Sequence, residues 1–218
     1  MDDKKSVGLL TNLVKSVGAG MAIGIGAVIF LSTENKVAGA ILFSVGLFLV
    51  CSFGLFLFTG KIGYVLSNRN KPNCAVIWFG NLLGSLLISA PVRFARPELH
   101  ETALKMVGAK LEKNLLAVLF LAFFCGVLMY AAVENFRRHP GEVSGVFGVV
   151  MCVTAFILCG FEHSIADMSY CIFAVDSAAT AGKSLLFLLV VTVGNSLGAL
   201  ALRGITEFGA QKLREKNK

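Results

Sequence analysis

The sequence predicts an all-α polytopic membrane protein of six transmembrane helices, an inverted 3+3 repeat whose second and fifth helices are broken. Three observations carry this. Composition comes first: 56% of the 218 residues are hydrophobic, mean hydropathy is +0.78, and only 15% are charged, against about 25% in a soluble domain. Second, an apolar run over 143–161 with no charged side chain meets Glu162, His163 and Asp167 within six positions, and an apolar run of only eight residues follows. A helix needs about 20 residues to cross a bilayer core. The economical reading is one span interrupted near mid-membrane, where irregular backbone is tolerated only inside protein or along a cavity. Third, G80-N-L-L-G84 is echoed by G194-N-S-L-G198, so segments one to three and four to six read as repeats. Repeats of three spans have opposite orientations in the membrane.

In order, segment one covers 16–32, with Gly18, Ala22 and Gly26 at the four-residue spacing that lets helices approach closely. Segment two covers 37–58 and carries Gly54 and Thr59-Gly60 near its end, where a break is expected. Segment three, 74–92, follows the breaker Lys71-Pro72-Asn73. Residues 93–113 read as the longest polar loop. Segment four covers 114–133, a loop 134–142, the interrupted fifth segment 143–175, a small-residue turn 176–183, and segment six 184–202. The charged tail, 203–218, is expected to fray. The whole reads as one domain over 1–218, with 1–14 and 203–218 as its terminal segments.

Six spans put both termini on one side. With both in the cytoplasm, 13 of the 20 Lys and Arg fall inside, the bias that sets topology. They are Lys4, Lys5, Lys15, Lys61, Arg69, Lys71, Arg137, Arg138, Arg203, Lys212, Arg214, Lys216 and Lys218. Of the other seven, five lie in the single loop 93–113. The net charge of +7 is therefore a topology signal and not a nucleic-acid footprint. No signal peptide is expected from M-D-D-K-K-S, which lacks a short apolar core and cleavage site. The six cysteines lie within or beside apolar segments without C-x-x-C spacing, which points to free thiols.

His163 is the only histidine inside a segment. Intramembrane ionisable residues mark pathways, and a histidine in a narrow pore can donate a hydrogen bond or proton to a passing weak-acid anion. The plainer reading is a histidine that ties the broken segment to its neighbours. Lys110 reads equally as a solvated or snorkelling loop end and as part of a positive vestibule that concentrates anions. Thr59 is a helix-end hydroxyl or a donor facing His163. Asn81 and Asn195 tie helices together, and Phe43 and Phe156 read as packing. Enzyme readings fail: there is no H-E-x-x-H, no zinc ligand set, no G-x-S-x-G and no phosphate-binding loop. No cofactor is expected.

Four motifs in this order, L-F-T-G (57–60), F-G-N-L-L-G (79–84), G-F-E-H-S-I-A-D-M (160–168) and V-T-V-G-N-S-L-G (191–198), resemble the formate/nitrite transporter family over nearly the whole chain. The resemblance implies an aquaporin-like protomer in a homopentamer, with one anion pore per protomer, in the cell's cytoplasmic membrane. It makes His163 the central pore histidine, Thr59 the residue facing it, and Asn195 part of their polar network. It makes Leu47 and Leu57 the inner constriction, Phe43 and Phe156 the outer one, Lys110 a vestibule lysine, and Glu162 the residue that holds the loop. Two positions depart from the family pattern: Asp167 stands where Asn is usual, and F124-C125-G126-V127-L128 lacks the Asn of C-N-x-L-V. These features look more like the hydrosulfide-channel branch. The expected function is a channel for hydrosulfide, with formate and nitrite next. The alternative is a neutral-solute pore of aquaporin type for water or undissociated hydrogen sulfide, although the sequence has no N-P-A repeat.

Overall fold

The computed structural model describes the backbone of residues 2–66 and 71–216 and the side chains of 8–66 and 71–209. Arg69 and Lys218, and the side chains of Lys4, Lys5, Lys212, Arg214 and Lys216, lie outside the described residues. Among the described residues, regular structure is entirely helical. The α-helices are α1 Asp2–Leu31, α2 Lys36–Ser52, α3 Phe58–Lys61, α4 Cys74–Ala95, α5 Glu98–Leu111, α6 Leu115–Arg138, α7 Val143–Leu158, α8 Ser164–Ala174 and α9 Ala178–Lys216. A 3-10 turn, Ile62–Tyr64, continues α3. α1, α4, α6 and α9 are long and apolar enough to cross a bilayer, whereas α2, α7 and α8 are shorter apolar helices.

Asparagines start three of these helices. Asn35, Asn73 and Asn114 each accept, through the side-chain oxygen, a backbone N–H from the first turn of α2, α4 and α6. Such caps satisfy donors that an α-helix leaves open at its start.

Packing then pairs α1 with α4 and α6 with α9 over their longest faces. The close approach depends on glycine. A Cβ on Gly84 would overlap the Val17 carbonyl, and one on Gly198 would overlap the Phe123 carbonyl. Likewise Gly20 lies against the Asn81 backbone and Gly126 against the Asn195 backbone. The members of each pair are offset by 106 positions in the first helices and 114 in the third. At the latter offset Trp78 corresponds to Thr192, and these two side chains meet: Trp78 Nε1 donates to Thr192 Oγ1 at 3.0 Å.

Four sequence expectations change. The small-residue turn expected over 176–183 is already helix from Ala178 onward, the start of α9. Of the loop expected over 93–113, residues 93–95 close α4 and Glu98–Leu111 form a helix, α5. Pro97 precedes it, Glu98 and Glu101 occupy its first turn and Lys110 its last, the charge order that suits a helix dipole. Its buried Leu99, Ala103 and Val107 recur every four residues and face the core. The tail does not fray at 203, because α9 runs on to Lys216. Arg203 is buried, donates from Nη1 to the Gly63 carbonyl at 2.6 Å, and pairs with Glu207 one turn on. α6 extends to Arg138, through much of the expected loop, because Glu134 binds Arg137 and Arg138 at i+3 and i+4.

Candidate functional site: two helix breaks that meet

α2 ends at Ser52 and α7 at Leu158 with the same backbone turn. Gly54 and Gly160, again 106 positions apart, take φ of 59° and 66°. This left-handed conformation is a common helix ending and suits glycine. The following N–H turns back in each case, Leu55 to the Val50 carbonyl at 2.9 Å and Phe161 to the Phe156 carbonyl at 2.9 Å.

Backbone released by a break needs partners in a buried setting, and one asparagine serves each break. Asn81 Oδ1 accepts from Phe58 N at 2.8 Å, while its Nδ2 donates to the Ser16 carbonyl at 2.7 Å and the Phe56 carbonyl at 2.9 Å. Asn195 Oδ1 accepts from Ser164 N at 2.9 Å, while its Nδ2 donates to the Ala122 and Glu162 carbonyls, both at 2.8 Å. Each amide thus ties its break to a neighbouring helix through both its oxygen and its nitrogen. Asn195 touches the residues on either side of His163 and not its ring.

In this correspondence Leu57 and His163 hold equivalent places at the starts of α3 and α8. His163 caps α8: its Nδ1 accepts from Ala166 N at 3.1 Å. That acceptor role puts the proton of a neutral ring on Nε2, which lies 2.9 Å from Thr59 Oγ1. Nε2 therefore donates to the Thr59 oxygen, and the hydroxyl proton is left available to a third group. Both side chains are buried. Phe156 stacks on the His163 ring at 5.6 Å between centroids, and Phe43 meets Phe156 edge-on at 5.9 Å.

Two cavities flank this contact. The smaller, about 290 Å³, is lined by Phe156, His163, Glu162, Asp167, Lys110 and Lys113 among others. The larger, about 900 Å³, is lined by Val50, Leu57, Gly60, Lys61, Tyr64 and Arg203 among others. His163 and Phe156 thus border one cavity and Leu57 the other, while Phe43, Leu47 and Thr59 are buried and line neither. Lys15 and Lys61 both lie over the Phe56 ring at the larger cavity, at 5.2 and 4.6 Å from its centroid.

Lys110 is not a lone cation. Its Nζ donates to Glu162 Oε2 and to Asp167 Oδ1, the latter at 2.9 Å, and Lys113 Nζ donates to Glu162 Oε1 at 2.8 Å. Burial works against the Lys110 charge; Asp167 and Glu162 more than offset it and hold the ammonium above the ordinary lysine range. Asp167, which departs from the family pattern, is thus tied to a lysine. Glu162 holds the break twice, through its carbonyl to Asn195 and through its side chain to two lysines.

Three supports escaped the sequence reading. Arg93 Nη1 donates to the Ile172 and Val175 carbonyls at 3.1 and 2.6 Å, satisfying the end of α8. Arg203 secures Gly63. The Tyr64 hydroxyl donates to Glu134, whose spacing to Arg137 and Arg138 was the available signal for a charged cluster.

The family model for formate/nitrite transporters matches residues 1–209. The nitrite transporter NirC of Escherichia coli (strain K12) is 27% identical over 226 aligned positions, covering 88% of this chain and 80% of NirC. A solved structure described as an FNT family ion channel superposes with a TM-score of 0.80 at 25% identity, covering 94% of this chain and 92% of that one. A second, described as a pentameric formate channel with formate bound, gives 0.78 at 23% identity over 94% and 98% of the two chains. These relatives are transport proteins and not enzymes. The chain is a multi-pass membrane protein and belongs to the formate/nitrite transporter family.

Proposed function

We propose that this chain forms a channel for small monovalent weak-acid anions, hydrosulfide first, with formate and nitrite next. The observation that carries the reading is the Thr59–His163 contact between two cavities. A solute between them meets a hydroxyl donor and a histidine, enclosed by Phe43 and Phe156 on one side and Leu47 and Leu57 on the other. The apolar residues strip water from the solute, and Thr59 and His163 replace part of that hydration. Lys110 supplies positive charge at the smaller cavity, shared with Glu162 and Asp167.

In this reading the chain makes six spans. α2 with α3 and α7 with α8 are the broken second and fifth, and the halves form an inverted repeat in an aquaporin-like protomer. The shared pattern of glycines and asparagines supports it. The protomers form a homopentamer in the cytoplasmic membrane, as the likeness to a pentameric channel supports. Both termini lie in the cytoplasm, so the larger cavity is the inner vestibule, consistent with Lys61, Lys71, Arg137 and Arg203 around it. The neutral-solute alternative draws on one observation, the pairing of Lys110 and Lys113 with carboxylates in the smaller cavity. Voltage-dependent current separates the two, because a neutral solute carries none. Replacing His163 by Phe should alter pH-dependent anion flux while the pentamer stays assembled; unchanged flux removes His163 from the mechanism.

A further inference from the structure

α4 and α9 each carry one asparagine and one arginine that bind the backbone of a short helix following a break. Asn81 on α4 takes Phe58 N at the start of α3, and Asn195 on α9 takes Ser164 N at the start of α8. The arginines act at the other ends, and they cross over. Arg93 on α4 donates to the Ile172 and Val175 carbonyls where α8 ends, and Arg203 on α9 donates to the Gly63 carbonyl in the turn that continues α3. With α1 to α4 and α6 to α9 as the two halves, each short helix is held at its start from its own half and at its end from the other.

The last carbonyls of a helix have no partner within it, and that end carries partial negative charge. A guanidinium answers both, and it does not lose its proton. On α8 a second side chain assists: His100 Nδ1 donates to the Phe173 carbonyl at 2.7 Å. Arg203 is buried, its side chain fixed by Glu207 and laid against the Tyr64 ring, 5.1 Å from Cζ to the centroid. Both grips bear on the Thr59–His163 contact. Gly63 lies one helical turn beyond Thr59. α8 is a single helix of 11 residues, about 16 Å long, so a hold on its last turn sets the direction of its first, which His163 caps. The contact is one hydrogen bond of 2.9 Å, and a shift of roughly 1 Å would undo it.

Resting on the channel reading, we infer that Arg203 and Arg93 are positioning residues for selectivity, each keeping one member of the Thr59–His163 pair in place from the opposite half of the chain. With the pair in place, a passing solute meets a fixed donor. Formate accepts hydrogen bonds along directed lone pairs, whereas chloride is a sphere with no preferred direction. A displaced donor therefore costs formate more than chloride.

The test is flux of formate and of chloride into proteoliposomes holding the purified, assembled protein. Arg203→Met should lower the formate-to-chloride ratio by about fivefold or more, the worth of one hydrogen bond. Arg203→Lys, which keeps a charged donor for the Gly63 carbonyl, should restore most of the ratio. In a Thr59→Val background the positioned hydroxyl is already gone, and Arg203→Met should change the ratio by about twofold or less. Arg93→Met should lower the ratio as well, and it carries the test alone if Arg203→Met does not assemble. A lost vestibule charge or a smaller share of active protein lowers both fluxes alike, so a ratio that neither arginine variant changes overturns the inference and leaves the channel standing. A fall in the Thr59→Val background equal to that in the native protein overturns it too. No formate flux through the folded native protein overturns the channel reading, and this inference with it.

Discussion

Thr59 and His163 are 104 positions apart in sequence and 2.9 Å apart in space, one from each helix break. The chain turns after α2 and after α7, the asparagines satisfy the freed backbone, and the two side chains meet. Because His163 Nδ1 is committed to Ala166 N, a doubly protonated ring would forfeit its cap on α8. The arrangement therefore holds the neutral ring with its proton directed at Thr59.

Thr59→Val should remove the hydroxyl while keeping shape, leaving His163 Nε2–H without a partner. The expected cost to stability is about 1–3 kcal/mol, read from thermal unfolding in detergent. Anion flux in proteoliposomes should fall by about tenfold or more, whereas Thr59→Ser should retain most of it.

Asn81→Ala and Asn195→Ala should behave alike, because each amide makes three hydrogen bonds to backbone groups at positions offset by 106 residues. Each should lose about 3–5 kcal/mol, several times the net worth of one bond, since backbone groups are left unpaired. Comparative unfolding of the two variants checks this. A large difference between them would mean that the halves do not share one design.

Lys110→Met should be more damaging than a surface lysine change. It leaves Asp167 without its cation and Glu162 with only Lys113, and breaking a buried pair costs about 3–5 kcal/mol. Combining it with Asp167→Asn should recover part of that loss, a non-additivity that a double-mutant cycle measures.

Gly84→Ala and Gly198→Ala should each prevent assembly of a folded protein, because the added methyl meets backbone and not a movable side chain. Gly108→Ala is the control: a Cβ there meets nothing within 4 Å, and the variant should fold normally. Size-exclusion chromatography of the three variants separates these outcomes.

The parts legible in the sequence were those written in local pattern. The polar interruption at 162–167 stood out against apolar neighbours, and the two G-N-x-x-G runs marked both the close helix pairs and the asparagines that serve the breaks. α5 was hidden because its charges outweighed a short apolar stripe, Leu99, Ala103 and Val107, that hydropathy alone does not separate from a loop. The pairing of Lys110 with Asp167, 57 positions away, follows from how α5 lies on α8, which no local pattern encodes. Arg203 read as the start of a tail because its acceptor, the Gly63 carbonyl, is 140 positions distant. Apart from α5 and the continuation of α9, it was the long-range polar partners that the sequence concealed.

The central claim is conduction of small weak-acid anions past Thr59 and His163. Its most direct test is flux into proteoliposomes holding the purified protein, with hydrosulfide, formate, nitrite and chloride compared at two pH values, in the native protein and in His163→Phe. The account predicts hydrosulfide above formate and nitrite, little chloride, and a changed pH dependence in the variant. A folded native protein that passes none of the four anions would contradict it.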